Sequence, residues 1–429
     1  MRGGQFSATI VHLATDLVLQ TGASMRGAAA GLRLIGTRLG LGMDLPSFGA
    51  IRSWLLRLGC WALQRPLPSG DGVWLIDHTV QIGSSKLLVI VGCPLSQVPF
   101  GDRPLRLSDL HLVGLSLMEH STKEAVAIEL ERAATRTGVP RQIASDQGSD
   151  LDGGVKLFQQ RHAGIVQVHD LAHQAANVLK GRWTKDERWA TFVTQLSQAA
   201  AKVRQTREAH LLPPTVRAKA RFMNVRPTLR FAQCVLRLLD SGASSPRVEE
   251  HYGWLRESRD AVTGWVSEQA VAESAVQHVR THGVNRDTAT RLDAVWSTLG
   301  STSPLTPGAC EVASRLRVSV AAEGSPARPG ETWVGSTEVL ESTFGKLKRL
   351  EGSYSGDGFT TLTLALGALL GERTEADVRQ ALDAVPQKVA DTWCQRLLGT
   401  TVHMLRRRFV KPQNTNQIRD EQQSPSTPS

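Results

Sequence analysis

No apolar run in this 429-residue chain approaches the roughly 18 residues that a membrane span requires. The longest candidates, Lys86 to Cys93 and Leu362 to Leu370, are far too short. Cysteine is sparse and scattered, at positions 60, 93, 234, 310 and 394. No two have zinc-site spacing, and an odd number argues against a disulfide framework. A reducing intracellular compartment is therefore expected. The N-terminal stretch carries Asp16 within its apolar part and lacks a clear cleavage site, which argues against a signal peptide. Aromatic residues are only 5 % of the chain, so any stacking surface rests largely on its ten tryptophans. Acidic residues are outnumbered, 40 against 50, giving a net charge of +10. That balance permits a polyanionic partner without requiring one. An apolar fraction of 41 % with 21 % charged residues reads as globular, with enough chain for two or three domains.

Residues 8 to 64 have helical texture. Ser24 is a candidate cap for the helix that follows it, and Ser47 for the next, in which Ile51, Leu55 and Leu58 share a face. Two short helices with a glycine-containing break and arginines at 26, 33, 52 and 57 suggest a helix-turn-helix that binds DNA. The competing reading is a small bundle packed on the next domain. A Pro/Gly-rich stretch, 65 to 72, reads as a linker. Strand candidates follow at 72–80, 86–92, 110–118, 141–145 and 165–170. Helices fall between the later ones, at 121–137 with Ser121 as cap and at 151–160, and another follows at 171–180. Three consecutive strands and then strand–helix units indicate a mixed α/β sheet. From 181 to about 320 the texture is helical, and 321–332 reads as a second linker. Residues 181–230 hold eleven Lys or Arg against three Asp or Glu, which concentrates most of the charge imbalance. Helices are expected at 336–350, 361–370 and 373–399, and the last 17 residues lack apolar content and are expected to be disordered.

Two acids stand at strand ends: Asp77 in LIDHT and Asp146 in IASDQ. If the first and fourth strands are neighbours, these carboxylates approach metal-bridging distance. Two like charges so close call for a cation, since otherwise one takes up a proton. Oxygen ligands without cysteine favour magnesium or manganese, and two such ions can activate a hydroxyl nucleophile and stabilise the leaving oxygen of a phosphodiester. Taken alone, acids at strand ends are equally explained as turn residues.

This order of elements, with an Asp on the first strand, an Asp after the fourth and a Glu on a later helix, resembles the DDE/DDD-type DNA transposases and retroviral-type integrases. The third acid is then Glu341, in STEVLESTFGKLKRLEG, 195 residues after Asp146. Glu338 is its main rival, while Glu351 and Asp357 fall at the helix end and in a Gly-rich turn. The resemblance implies an α/β fold: a ribonuclease H-like mixed sheet, an N-terminal helix-turn-helix region and a large all-helical insertion. It implies two Mg²⁺ ions (Mn²⁺ as substitute) on Asp77, Asp146 and Glu341, with Lys346 and Lys348 on the same helix touching DNA phosphate. Relatives with such an insertion often carry a C/D-x-x-H motif after the fifth strand. Asp170 and His173 match it, with a helix cap and a packed histidine as the plainer explanation. Some relatives place a Tyr and an Arg upstream of the Glu, where this chain has Val334 and Thr337, so those contacts are absent or supplied differently. The resemblance implies an aromatic residue of the insertion that stacks on a flipped base; Trp183, Trp189, Trp254 and Trp265 are available, and Trp254 is the best candidate. Arg182, Arg188, Arg204, Arg207, Arg217, Lys219 and Arg221 are candidates to line the DNA path, beside Arg26, Arg33, Arg52 and Arg57.

The expected domains are 1–66 (helical, DNA-binding), 67–180 (first part of the core), 181–330 (helical insertion), 331–372 (rest of the core), 373–412 (C-terminal helices) and 413–429 (tail). The implied activity is metal-dependent cleavage at transposon ends and strand transfer into target DNA. The implied partners are double-stranded DNA, as terminal inverted repeats and target, and a second copy of the chain in a paired-end complex. The implied location is the prokaryotic cytoplasm, at the nucleoid when DNA-bound. Two alternatives share these residues: a ribonuclease H-like nuclease without strand transfer, and a transposase-derived regulator that binds DNA without cutting. The basic segment Met404 to Lys411 suits any of the three.

Overall fold

The structure is a computed structural model that describes residues 6–40, 44–65, 71–82, 84–215, 221–242, 244–352 and 359–399. The two stretches expected as the first linker and the C-terminal tail lie wholly or mostly outside these, as does the basic segment 404–411. Three helices come first: α1 (Ala8–Leu19), α2 (Met25–Arg38) and α3 (Phe48–Gln64). Each starts at a serine whose hydroxyl accepts a backbone N–H three residues on: Ser7 from Ile10, Ser24 from Gly27 and Ser47 from Ala50. Ile51, Leu55 and Leu58 are buried together on α3, as their spacing predicts.

The sheet follows. It has strands β1 (Gly72–Ile82), β2 (Ser85–Pro94), β3 (His111–Met118), β4 (Gln142–Ser145) and β5 (Val166–His169), in the spatial order β3-β2-β1-β4-β5. β1 and β2 pair antiparallel, as do β2 and β3, while β4 runs parallel to both β1 and β5. The first and fourth strands are thus neighbours. Helices α4 (Lys123–Thr137) and α5 (Ser149–Arg161) make the parallel crossovers. Thr122, not Ser121, caps α4, because the Ser121 hydroxyl is taken up by His78 at 3.1 Å.

Alternation along the strands separates two cores. Trp74, Ile76, Leu88, Ile90 and Ile143 meet α4 and α5 on one face. Val73, Leu75, Leu87, Val89 and Ala144 face the other way, against α1–α3 and the C-terminal helices. Residues 8–64 therefore have no core of their own, and the bundle packed on its neighbour describes them better than a separate unit. Their packing is close: a Cβ on Gly59 of α3 would stand 1.9 Å from the Leu364 carbonyl oxygen.

After β5 the chain leaves the sheet in seven helices: α6 (Leu171–Trp183), α7 (Glu187–Val203), α8 (Arg226–Asp240), α9 (Pro246–Tyr252), α10 (Arg259–His282), α11 (Thr288–Thr302) and α12 (Pro307–Gly324). They enclose a third core, which includes Trp183, Trp189, Trp265, Trp296 and Trp333. The first third of the expected linker at 321–332 is helix, because α12 continues to Gly324, and the returning chain forms a short antiparallel bridge between Val284 and Trp333. Helix α13 (Glu338–Glu351) then crosses the sheet. The expected helix at 361–370 is instead a 3-10 turn, Thr361–Ala365, running into the single turn α14 (Leu366–Leu369). Helices α15 (Glu375–Ala384) and α16 (Gln387–Leu398) close the described chain. No helix among the described residues is long and apolar enough to cross a membrane.

Two glycine substitutions test this packing in opposite directions. Gly59→Ala drives a methyl into fixed backbone and is expected to lower stability by about 1–3 kcal/mol or more. Gly31→Ala in α2 meets nothing within 4 Å and is expected to stabilise by up to about 1 kcal/mol. Thermal unfolding of both beside the parent checks the pair; equal midpoints would contradict the α3–Leu364 contact.

Candidate functional site

The last β1–β4 pair is Ile76 with Ser145, so Asp77 and Asp146 emerge side by side where the two parallel strands part. Ends of parallel strands are where such sheets collect ligand chemistry. Asp77 continues the alternation of Val73 and Leu75, on the face that α13 covers. Its Oδ1 accepts the His78 N–H at 2.6 Å, and Asp146 Oδ1 accepts the Gly148 N–H at 2.9 Å. Burial, then the Asp146 charge and less strongly that of Glu341, push Asp77 up to about 7. The His78 N–H and the His173 charge pull the other way.

Helix α13 places Glu341. Leu340, Thr343, Phe344 and Leu347 form its buried stripe, which leaves Glu341 open to solvent. Crowding by surrounding protein raises the Glu341 pKa; the Asp170 and Glu338 charges add to this and His173 opposes it. Glu338 is held differently: its Oε2 lies 3.0 Å from Arg280 Nη1 of α10. Glu351 is buried and accepts the Thr360 hydroxyl at 2.5 Å, so it is structural. Asp357 lies outside the described residues.

Asp170 is 1 % exposed and binds two elements together. One oxygen accepts the N–H groups of Ala172 and His173 at 2.6 and 3.2 Å, capping α6. The other accepts both the N–H and the hydroxyl of Thr337, each at 2.6 Å. Burial pushes its pKa up, but His173 and Thr337 outweigh that and the net shift is downward. Thr337 thus makes no side-chain cap for α13; its hydroxyl faces Asp170 instead. His173 Nδ1 stands 3.8 Å from Asp170 Oδ1. The Asp170 carboxylate, offset in part by burial and aided by Asp146 and Asp77, lifts the imidazole to about 9. His173 is a cation among the acids.

Sequence reasoning missed Gln142. Its side chain is fully buried and grips Val334 at both backbone groups, donating to the carbonyl at 2.6 Å and accepting the N–H at 2.9 Å. Val334 and Thr337, noted above as departures, are therefore among the points where the returning chain is fastened. It also missed His169, which bridges Glu323 of α12 and Asp152 of α5 at 2.8 and 3.1 Å. Both links join residues far apart in sequence and leave no local signal. His78 lies on the opposite sheet face, beside Ser121 and Asp150, and burial lowers its pKa.

The expected DNA-contacting residues divide. Arg26, Arg33, Arg204 and Arg207 are exposed. Arg57 is turned inward, donating to the carbonyls of Val385 and Leu382, and Arg52 to the Thr361 hydroxyl, because α3 packs against the C-terminal helices. Arg182 pairs with Glu268 and Glu311, and Arg188 with Asp186. Trp254 is half-buried, with its ring 5.9 Å from that of Phe192 and its N–H on the His251 carbonyl, so it is not a free stacking surface. Trp183, Trp189 and Trp265 are buried. Arg217, Lys219 and the Arg221 side chain lie outside the described residues.

The donor set of Asp77, Asp146 and Glu341 is all oxygen, which suits Mg²⁺ or Mn²⁺, and burial beside Asp146 raises Asp77. Among the described residues, no three His, Cys, Asp or Glu side chains converge tightly enough to hold a metal as they stand. No protein-family model and no curated protein matches the sequence. Among solved structures, the chain is similar to the Drosophila P element transposase strand transfer complex, at 13 % identity and a TM-score of 0.41, over 87 % of this chain and 93 % of that one. A likeness of that strength carries no weight for the chemistry.

The Asp77 shift sets a pH dependence. A carboxyl whose folded pKa exceeds its unfolded value of about 3.9 contributes nothing unfavourable below that value and destabilises progressively as pH rises through the folded pKa. In EDTA, Asp77→Asn is expected to be more stable than the parent above pH 7, by up to about 4 kcal/mol, with the gap closing toward pH 4. Melting temperatures across that range decide it; a gap that stays constant from pH 4 to 8 contradicts a crowded Asp77.

Proposed function

We propose that the chain is a DNA transposase whose sheet is a ribonuclease H-like core and whose reacting centre is Asp77, Asp146 and Glu341. The observation that carries this reading is the pairing of two carboxylates at the ends of adjacent parallel strands, with a third, electrostatically coupled carboxylate on α13. A structural turn role explains neither the neighbouring placement nor the field that Glu341 exerts on Asp77. The Arg280–Glu338 ion pair favours Glu341 over Glu338 as the third ligand.

Two divalent cations bound by these carboxylates would supply Lewis acidity and a water of lowered pKa. The chain's own residues do the rest. Asp77 and Asp146 orient through the backbone N–H groups of His78 and Gly148. Asp170 fixes the start of α13 through Thr337 and so sets where Glu341 stands. His173, a cation at neutral pH, offsets part of the acidic field and can donate to a phosphate oxygen. Lys348 lies seven residues beyond Glu341, nearly on the same helix face, and can meet the DNA backbone. Water then attacks the phosphodiester at the element end, and the released 3′-hydroxyl attacks target DNA. Holding two ends together calls for a dimer. Glu341 would complete the ligand set of such ions.

The test is labelled linear DNA carrying the ends of the chain's own genomic element, incubated with Mg²⁺ or EDTA and read at nucleotide resolution. Boundary cleavage is expected with metal only. Asp77→Ala and Glu341→Gln are expected to reduce it at least 100-fold, the scale on which single transition-state charge stabilisers act, and Glu338→Gln by less than tenfold. Unchanged cutting by Asp77→Ala sinks the reading. Joining of cut ends to target DNA separates a transposase from a plain nuclease, and binding without cutting in Mg²⁺ and in Mn²⁺ points to the regulator.

A further inference from the structure

A cleft of about 140 Å³ lies between the turn joining α1 to α2 and the far half of α13. Gln20, Thr21 and Ser24 line one wall, and Lys346 and Arg349 the other. Leu369 closes part of the floor. None of the lining residues is acidic. Lys346 and Arg349 have no carboxylate partner among the described residues. The contrast with the cleft in the insertion is direct. There Arg182, Arg188 and Arg315 stand among Asp186, Asp260, Glu268 and Glu311 and each is paired, with Lys185 the one cation of that lining outside an ion pair among the described residues. Two unneutralised cations sharing one cleft that holds no carboxylate are an anion site waiting for charge, whereas a paired guanidinium is already satisfied.

Helix geometry gives the site its direction. At 100° per residue, Lys348 falls almost on the Glu341 face, while Lys346 and Arg349 rotate toward the α1–α2 turn. The two lysines expected to act together thus serve different sides. At 1.5 Å per residue, Lys346 and Arg349 stand about 7.5 and 12 Å along the axis from Glu341. With about 3.4 Å per nucleotide, that is some two to four nucleotides away.

We propose that this cleft binds the backbone phosphates of duplex DNA flanking the bond to be cut, so that the N-terminal helices and α13 grip the same stretch. The inference rests on the DNA-transaction reading above and names where the chain holds the duplex. Its contacts are to phosphate and carry no sequence information. The Gln20–Ser24 turn acts as the neutral wall, which lets the phosphate approach without meeting a carboxylate.

The experiment measures the affinity of the full chain for a 30-base-pair duplex as a function of salt, in EDTA. Each lost phosphate contact lowers the slope of log K against log salt by about 0.9. Lys346→Ala/Arg349→Ala is expected to lower it by about 2. Lys123→Ala/Arg161→Ala, which removes the same charge from exposed positions on α4 and α5, is the control and is expected to leave the slope within about 0.5. Gln20→Glu, which places a negative charge on the opposite wall, is expected to weaken binding several-fold. An unchanged slope in the cleft variant, or an equal fall in the control, overturns the cleft. So does a chain that binds no duplex, which overturns the functional reading as well. Cleavage measured on the same preparations keeps the two apart. Cutting by the parent with an unchanged slope in the cleft variant removes the cleft alone. The expected slopes without metal-dependent cutting leave the cleft and remove the catalytic assignment.

Discussion

One buried carboxylate ties the molecule together. After β5 the chain departs into seven helices and must come back to the sheet in register, and Asp170 and Thr337, where it does so, are 167 residues apart. Closing a flexible loop of that length costs about 4.5 kcal/mol beyond a constant. The two bonds from Thr337 to a charged acceptor contribute about 1.5–3 kcal/mol each, which is comparable to the closure cost and no more. The balance is therefore set by the insertion's own core, which holds its ends together. Gln142 on Val334 adds a second fastening, and the Leu171 N–H on the Gly335 carbonyl a third. The helix that carries Glu341 begins one residue after the clamp, so its position follows from Asp170 more than from any contact of its own.

The same clamp organises the electrostatics. Asp170 stays ionised despite burial because His173 and Thr337 favour its charged form. His173 in turn stays protonated because Asp170 is charged. The pair contributes no net charge, yet it sets a fixed cation beside Asp77 and Asp146. That cation only partly offsets the burial of Asp77 and the charge of Asp146, and Asp77 is pushed up to about 7. The stability of the site is therefore tied to pH through one residue.

Much of this was legible in the sequence, and what was not has a common cause. Local patterns placed the five strands, the serine caps of α2 and α3, the apolar stripe of α13 and the two acids at strand ends. Each depends on neighbours within about one helical turn or one strand, where periodicity and capping rules operate. Three kinds of residue escaped. Thr122 took the cap from Ser121 because His78, 43 residues away, engaged the Ser121 hydroxyl. Arg52 and Arg57 turned inward because α3 packs on segments more than 300 residues later. Gln142 and Thr337 look like ordinary polar residues until the chain returns to meet them. Polar residues buried by long-range contact are invisible to a reading that assigns polarity to the surface.

Net charge shows the same limit from another side. Residues 181–230 carry most of the chain's basic excess, and counting alone would draw DNA to the insertion. Pairing removes part of that expectation, although Lys185, Lys202, Arg204, Arg207 and Arg230 make no ion pair among the described residues. Arg182 sits between Glu268 and Glu311, Arg188 is folded onto Asp186, and Arg226 reaches Glu273. A guanidinium already held by a carboxylate offers a phosphate only an exchange of partners, with the carboxylate left unpaired. The cations beside Glu341 involve no such exchange. Where a chain with +10 overall meets a polyanion is therefore decided by which cations lack partners, and that is a property of the fold rather than of the composition.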